Sequence, residues 1–205
     1  MIKGIIFDFG GVLVTDPSSN ISGQEAQILN VEPQFLTQVY RDENLFLFEK
    51  GLISSNEFWK RFKENLEKQN QIKIKEDQIK KFQQQLISKF ELYPKFKDFI
   101  LKIKKKYKIA LLTNNLPNWM PIWNKKFELK KIFPIIVTSF EEKIRKPNPE
   151  IYLRTCRKLG LEPEECLFID DQKKNIDGAE KAGLSAIQFT TEEGTIQKIQ
   201  EKLKE

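Results

Sequence analysis

At 205 residues, 40% hydrophobic and 31% charged, the chain has the composition of a soluble globular protein, long enough for one full core with a modest insertion or for two small domains. It contains no histidine, which excludes serine-histidine triads, cysteine-histidine nucleophiles and histidine-ligated zinc; carboxylates, lysines, hydroxyls and an oxygen-held hard cation remain. The net charge of +6 comes from lysines spread along amphipathic stretches such as Lys102, Lys104, Lys105 and Lys106, which reads as a solvated helix face with no nucleic-acid partner, although a basic surface also draws in phosphorylated substrates.

No apolar stretch has the length to cross a bilayer. The apolar opening run carries Asp8 and lacks a cleavage site, so it reads as a core strand and not a signal peptide. Cys156 and Cys166 make neither a disulfide framework nor a metal motif. The expectation is a cytoplasmic protein with no membrane partner, either monomer or homodimer.

In chain order, the first predicted element is the strand Ile5 to Phe7, which delivers Asp8 into the pair Gly10-Gly11. A carboxylate at the end of a buried strand is costly unless metal, hydrogen bonds or neighbouring charge compensates it. In an open α/β sheet, that end is also where ligands bind. An ordinary turn after the strand is the alternative.

From about Pro17 to Leu92 apolar residues recur at helical spacing. Leu45, Phe46 and Phe48 precede a break at Lys50-Gly51. Ser54 and Glu57 are spaced as a capping box. Phe58, Trp59, Phe62 and Leu66 share one helical face, and Ile79, Phe82, Leu86 and Phe90 another. The segment reads as three to five helices whose aromatics form its own core.

At Tyr93-Pro94 strand and helix alternate again. Pro94 opens a helix burying Phe96, Phe99, Ile100 and Ile103. A strand from Lys108 to Leu112 ends in Thr113-Asn114-Asn115, and a helix rich in Trp119, Ile122 and Trp123 follows. A strand from Pro134 to Val137 ends in Thr138-Ser139. Asn148-Pro149 starts a helix that Gly160 stops, and a strand from Cys166 to Ile169 ends in Asp170-Asp171. A helix with Ile176 and Ala179, a strand from Ser185 to Phe189 and an amphipathic helix close the chain.

This pattern is βα alternation interrupted once, directly after the first strand. It implies a parallel sheet covered by helices, with 1–16 and 93–205 forming an α/β core and 17–92 a helical cap over the strand ends. In such a sheet Asp8, Thr113-Asn114, Thr138-Ser139 and Asp170-Asp171 converge on one edge, with Lys146 in the loop after the third strand. Singly, each has a structural explanation as a cap, a turn or a surface charge. Together, three carboxylates, hydroxyls and an ammonium form a site for a divalent cation and a phosphate.

These residues carry a resemblance to the haloacid dehalogenase superfamily, in its branch with a helical cap after the first motif. The first motif is Phe7-Asp8-Phe9-Gly10-Gly11-Val12-Leu13, and the second Leu111-Leu112-Thr113-Asn114. The third runs from Arg145 through Lys146 to Tyr152, and the fourth is Ile169-Asp170-Asp171 with Asn175. The resemblance implies a Rossmann-like sheet and a phosphatase of a small phosphorylated metabolite, with Asp8 as nucleophile through an aspartyl-phosphate. It implies Mg2+ held by Asp8, the Gly10 backbone carbonyl and Asp171, with Asp170 behind them. Thr113, the Asn114 amide and Lys146 would bind phosphate, Lys146 would keep Asp8 ionised, and Asn175 would orient the acidic pair. Trp119, Trp123 and Phe46 either line the substrate pocket or pack.

One position departs from the pattern. Phosphatases of this superfamily usually carry a second aspartate, the general acid and base, where this chain has Gly10. Asp16 is the nearest substitute, with an ordinary turn aspartate as its other reading. Metal-independent carbon-halogen hydrolysis, and a phosphate-binding protein with little turnover, are the alternatives that this glycine keeps open.

Overall fold

The computed structural model describes residues 1–204. The sheet has five parallel strands: β1 (Gly4–Phe7), β2 (Lys108–Thr113), β3 (Ile135–Thr138), β4 (Cys166–Asp170) and β5 (Ser185–Gln188), in the order β3-β2-β1-β4-β5. Between β1 and β2 lie five helices: α1 (Gly23–Leu29), α2 (Pro33–Tyr40), α3 (Glu43–Glu49), α4 (Ser55–Asn70) and α5 (Glu76–Ser88). They are followed by α6 (Pro94–Ile103), α7 (Met120–Phe127), α8 (Leu129–Ile132), α9 (Ser139–Glu142), α10 (Pro149–Leu159), α11 (Lys173–Lys181) and α12 (Glu192–Lys202). No helix among the described residues is long and apolar enough to cross a membrane.

The sheet is apolar on both faces, because helices cover both. Alternate side chains of each strand enter different cores. Ile5, Phe7, Ile109, Leu111, Leu167 and Ile169 join Phe96 and Ile100 of α6. Ile6, Ala110, Leu112 and Phe168 join Ile151, Tyr152 and Cys156 of α10 and Ile176 and Ala179 of α11. Phe7 pairs in register with Leu111 and with Ile169, so the next residue, Asp8, emerges at the centre of the carboxyl edge. Its N–H donates to the Ile169 carbonyl at 2.9 Å, which carries the pairing one residue past the strand.

The helical insertion leaves and returns side by side. Thr15 N–H donates to Glu91 O at 2.8 Å, and Tyr93 N–H to Leu13 O at 3.0 Å. The insertion has its own aromatic core: Phe58 lies 4.9 Å from Trp59 and 5.0 Å from Phe48, and Tyr40 meets Phe62 and Phe82 edge-on.

Several local expectations are altered. Ser54 does accept from Glu57 N–H at 3.1 Å, but the Glu57 carboxylate turns to Arg61 Nε at 2.6 Å, leaving half a capping box. Helix α5 ends at Ser88, so Phe90 falls outside it and packs at a tilt against Trp123, with 4.6 Å between ring centres. Strand β3 starts one residue after Pro134, which has no N–H to give a ladder. Ile122 is 40% exposed on α7, while Trp119 and Trp123 are buried.

Candidate functional site

The loop after β1 presents Asp8, whose Oδ1 accepts from the backbone N–H of Phe9 at 2.7 Å. The same oxygen meets Lys146 Nζ at 2.7 Å, and Lys146 reaches Asp170 Oδ2 at 2.6 Å on its other side. All three side chains are buried, Lys146 to 1% exposure. Lysines are seldom buried this deeply without carboxylate partners, and here two carboxylates flank one ammonium. The aliphatic stem passes by Phe168, with Nζ 5.4 Å from the ring centre.

Asp170 is fixed from several directions. Asn175 Nδ2 donates to both of its oxygens, at 2.9 and 3.0 Å, and Gln172 N–H donates to Oδ1 at 2.8 Å. Asn175 therefore orients Asp170 specifically, and Tyr152 Oη holds the Asn175 carbonyl at 2.8 Å. Asp171 differs: its Oδ1 is buried with no hydrogen-bond partner among the described residues. One oxygen from each of Asp8, Asp170 and Asp171 lies within 4.8 Å of the others.

The glycine pair allows this closeness. Gly11 has φ +80°, and a Cβ there would fall 2.5 Å from Asp171 Cγ. Backbone without Cβ thus lets the first and fourth strand ends press together. At Gly10 a Cβ would sit 3.5 Å from the Asp16 Cβ, so Asp16 stands beside the space a residue-10 side chain would enter. Asp16 Oδ1 accepts from the N–H of Ser18 at 3.0 Å and from its hydroxyl at 2.5 Å, anchoring a short 3-10 turn.

On the other flank Asn114 and Lys146 lock together. Asn114 Oδ1 accepts from Lys146 N–H at 2.9 Å and its Nδ2 donates to Lys146 O at 3.1 Å. The side-chain amide is therefore committed to the lysine loop, and the main-chain N–H of Asn114 is the group left for a ligand.

Burial raises the pKa of Asp8 well above the usual carboxylate range; Lys146 opposes this, and the charges of Asp170 and Asp171 add to it. Asp171 is pushed up to about 6, by burial first and then by Asp170. Burial works against the charge of Lys146, but Asp170 and Asp8 outweigh it and hold its pKa above the ordinary lysine value. The cluster holds three carboxylates against one ammonium, so it has affinity for further positive charge.

A pocket of about 80 Å3 opens on this edge. Asp8, Gly10, Asp16, Thr113, Asn114, Lys146 and Asn175 all line it, as do Trp119 and Trp123. Phe46 does not; its ring lies under the Arg145 guanidinium at 4.2 Å. Arg41, Glu49 and Arg145 also line the pocket without a role expected from sequence. Arg145 Nε donates to Glu49 Oε2 at 2.7 Å, and Ser139 Oγ donates to Glu49 O at 2.5 Å. Burial raises the Glu49 pKa while Arg145 opposes it. The position of Arg145 beside Lys146 was the available signal for its part; nothing in the periodicity marked Glu49.

The family described as haloacid dehalogenase-like hydrolase matches residues 2–183. The chain is 26% identical to acyl-CoA dehydrogenase family member 10 of Mus musculus over 97% of its own length and 19% of that protein. It is 26% identical to putative phosphatase YhcW of Bacillus subtilis over 91% of this chain and 83% of that one. Across four of the curated relatives that it matches, the shared stretch covers 19–38% of their length. Among solved structures, an HAD family enzyme of Bacteroides thetaiotaomicron, in complex with magnesium and inorganic phosphate, superposes with a TM-score of 0.71 at 27% identity, covering 93% of this chain and 95% of that one.

Proposed function

Because the chain belongs to the haloacid dehalogenase-like hydrolase family, whose match spans residues 2–183, we propose that it is a magnesium-dependent phosphatase acting on a small phosphorylated metabolite. The observation that carries this reading is Lys146 clamped between Asp8 and Asp170 beside an unpartnered, buried Asp171 oxygen.

The donor set fits a hard cation. An orphaned carboxylate oxygen, three clustered acids and no nitrogen or sulfur ligand suit magnesium, which favours carboxylates, retained waters and substrate phosphate. Asp8, Asp171 and the Gly10 carbonyl would hold it, while Asp170 stays engaged with Lys146 and Asn175. Bound there, the ion supplies charge neutralisation for the phosphoryl oxygens.

The chain's own residues account for the rest. Asp8 Oδ1 is occupied by Lys146 and Phe9 N–H, so Oδ2 is the oxygen that attacks phosphorus. A bond forms between that oxygen and phosphorus, and the bond from phosphorus to the leaving oxygen breaks. The leaving oxygen takes a proton from the Asp16 carboxyl, standing beside Gly10. Water then attacks the same phosphorus, the bond to Asp8 breaks, and the proton from that water returns to Asp16. Phosphate departs and both acids are restored. Thr113 and the Asn114 N–H hold phosphoryl oxygens, and Lys146 offsets the growing charge. The helices of 17–92 act as the cap that shields this chemistry from water.

The test is phosphate release from p-nitrophenyl phosphate with magnesium, lost on chelation and in Asp8→Asn. Asp16→Asn slows alkyl phosphates more than the aryl ester, whose leaving group needs no proton. Halide release from a 2-haloacid, indifferent to chelator and without phosphoester turnover, would overturn the proposal.

A further inference from the structure

Resting on the phosphatase reading, a substrate class can be drawn from a part of the pocket that the chemistry leaves unused. Arg41 follows α2 directly, in the helical insertion, and lines the same pocket as Asp8 and Asp16. Its hydrogen bond from Nη1 to the Ser18 carbonyl is long, 3.4 Å, and no carboxylate among the described residues is within ion-pair distance of it. Arg145, also in the pocket, is by contrast satisfied by Glu49 and by the face of Phe46. Ser18 is the residue that holds Asp16 Oδ1, so Arg41 is tied to the turn that presents Asp16 beside Gly10. Arg41 therefore belongs to the leaving-group side of the pocket.

A second unsatisfied donor lines the same pocket. Trp119 is 4% exposed, and its indole N–H is buried with no acceptor among the described residues. A guanidinium and an indole N–H share one property: both donate hydrogen bonds and neither accepts. The group that satisfies both must accept two hydrogen bonds, and the unpaired positive charge of Arg41 favours an ionised carboxylate or phosphate over a hydroxyl. Tyr40, Leu45, Phe90 and Trp123 supply the pocket's apolar wall, where such a charge-assisted contact is stronger than in water.

We infer that the substrate is a small phosphomonoester whose leaving group bears a second anionic group bound by Arg41 with the Trp119 N–H, making Arg41 a specificity-determining residue.

The experiment compares kcat/KM, with magnesium, for 3-phosphooxypropanoate, its neutral counterpart 3-hydroxypropyl phosphate, and ethane-1,2-diol bisphosphate. The wild type should favour one or both esters with an anionic leaving group over the ester with a neutral one by roughly ten- to a hundredfold, expressed mainly in KM. The carboxylate and bisphosphate arms tell which anion is taken. Arg41→Gln should collapse the ratio towards one, and Arg41→Lys should restore part of it. Trp119→Phe, which removes only the N–H donor, should lower it severalfold and gives a readout if Arg41→Gln does not fold. A wild-type ratio near one, or a ratio that survives Arg41→Gln, overturns the inference. If p-nitrophenyl phosphate is hydrolysed without this preference, only the substrate class falls; if no phosphoester is hydrolysed, both readings fall.

Discussion

Replacing Lys146 by methionine keeps the length of the buried stem and removes its charge. The ammonium contacts Asp8 Oδ1 at 2.7 Å and Asp170 Oδ2 at 2.6 Å, with side-chain exposures of 1%, 8% and 0% for the three residues. Asp8 keeps the Phe9 N–H, and Asp170 keeps Asn175 and Gln172, but no charge balances them. Removing one partner of a buried ion pair typically costs about 3–5 kcal/mol. A stranded carboxylate can escape by taking up a proton. From an unfolded pKa of about 3.9, that costs about 5 kcal/mol at pH 7.5 and about 1.5 kcal/mol at pH 5. The sign follows: the variant's folded state binds a proton that its unfolded state releases, so the penalty grows as pH rises. Urea unfolding in chelator should show Lys146→Met weaker than wild type by about 3–5 kcal/mol at pH 7.5 and by no more than about 1.5 kcal/mol at pH 5. Adding Asp170→Asn should recover much of the loss at the higher pH. A penalty under about 1 kcal/mol that does not change with pH would refute the view that this ammonium compensates buried carboxylate charge.

Two further expectations concern the neighbouring acid. Gly11→Ala places a methyl 2.5 Å from Asp171 Cγ at a positive φ, so it should cost about 1–2 kcal/mol of backbone strain and weaken magnesium binding by displacing Asp171. Gly10→Ala, with ordinary contacts, serves as its control in melting and magnesium-titration experiments. Asp171, pushed up to about 6, must lose its proton to bind a cation. The rise in melting temperature on adding magnesium should therefore be large at pH 8, shrink at pH 5.5 and vanish in chelator; a gain that does not depend on pH would contradict this.

The α/β layer was legible because its signals are local and periodic. An apolar run of strand length fixes β1, and the alternation of Ile5 and Phe7 against Ile6 is observed as two separate cores. Once the strands are parallel, their ends must share an edge, so Asp8, Thr113, Lys146 and Asp170 could be brought together from positions far apart in the chain. The insertion was less legible in what it contributes to the site. Helical periodicity tells which face of a bundle is buried, not where the bundle rests on a sheet. Arg41 and Glu49 sit at the ends of α2 and α3, outside any stripe, and Glu49 meets Arg145 across 96 positions. Phe46, read as a pocket candidate from its aromatic character, is taken up by Arg145 instead. Competition of this kind also redirects Glu57 to Arg61 and Asn114 to the Lys146 backbone. A side chain with two available partners leaves no trace of its choice in the sequence.

If Asp8 and Asp171 hold one cation between them, a crystal structure grown with magnesium and beryllium fluoride will show it. The expected result is one ion bonded to a carboxylate oxygen of each residue and to the Gly10 carbonyl, with the fluoride group on Asp8 Oδ2 and Lys146 still against Oδ1. An ion bound elsewhere, or Asp171 turned away from it with its oxygens satisfied by protein donors, would contradict it.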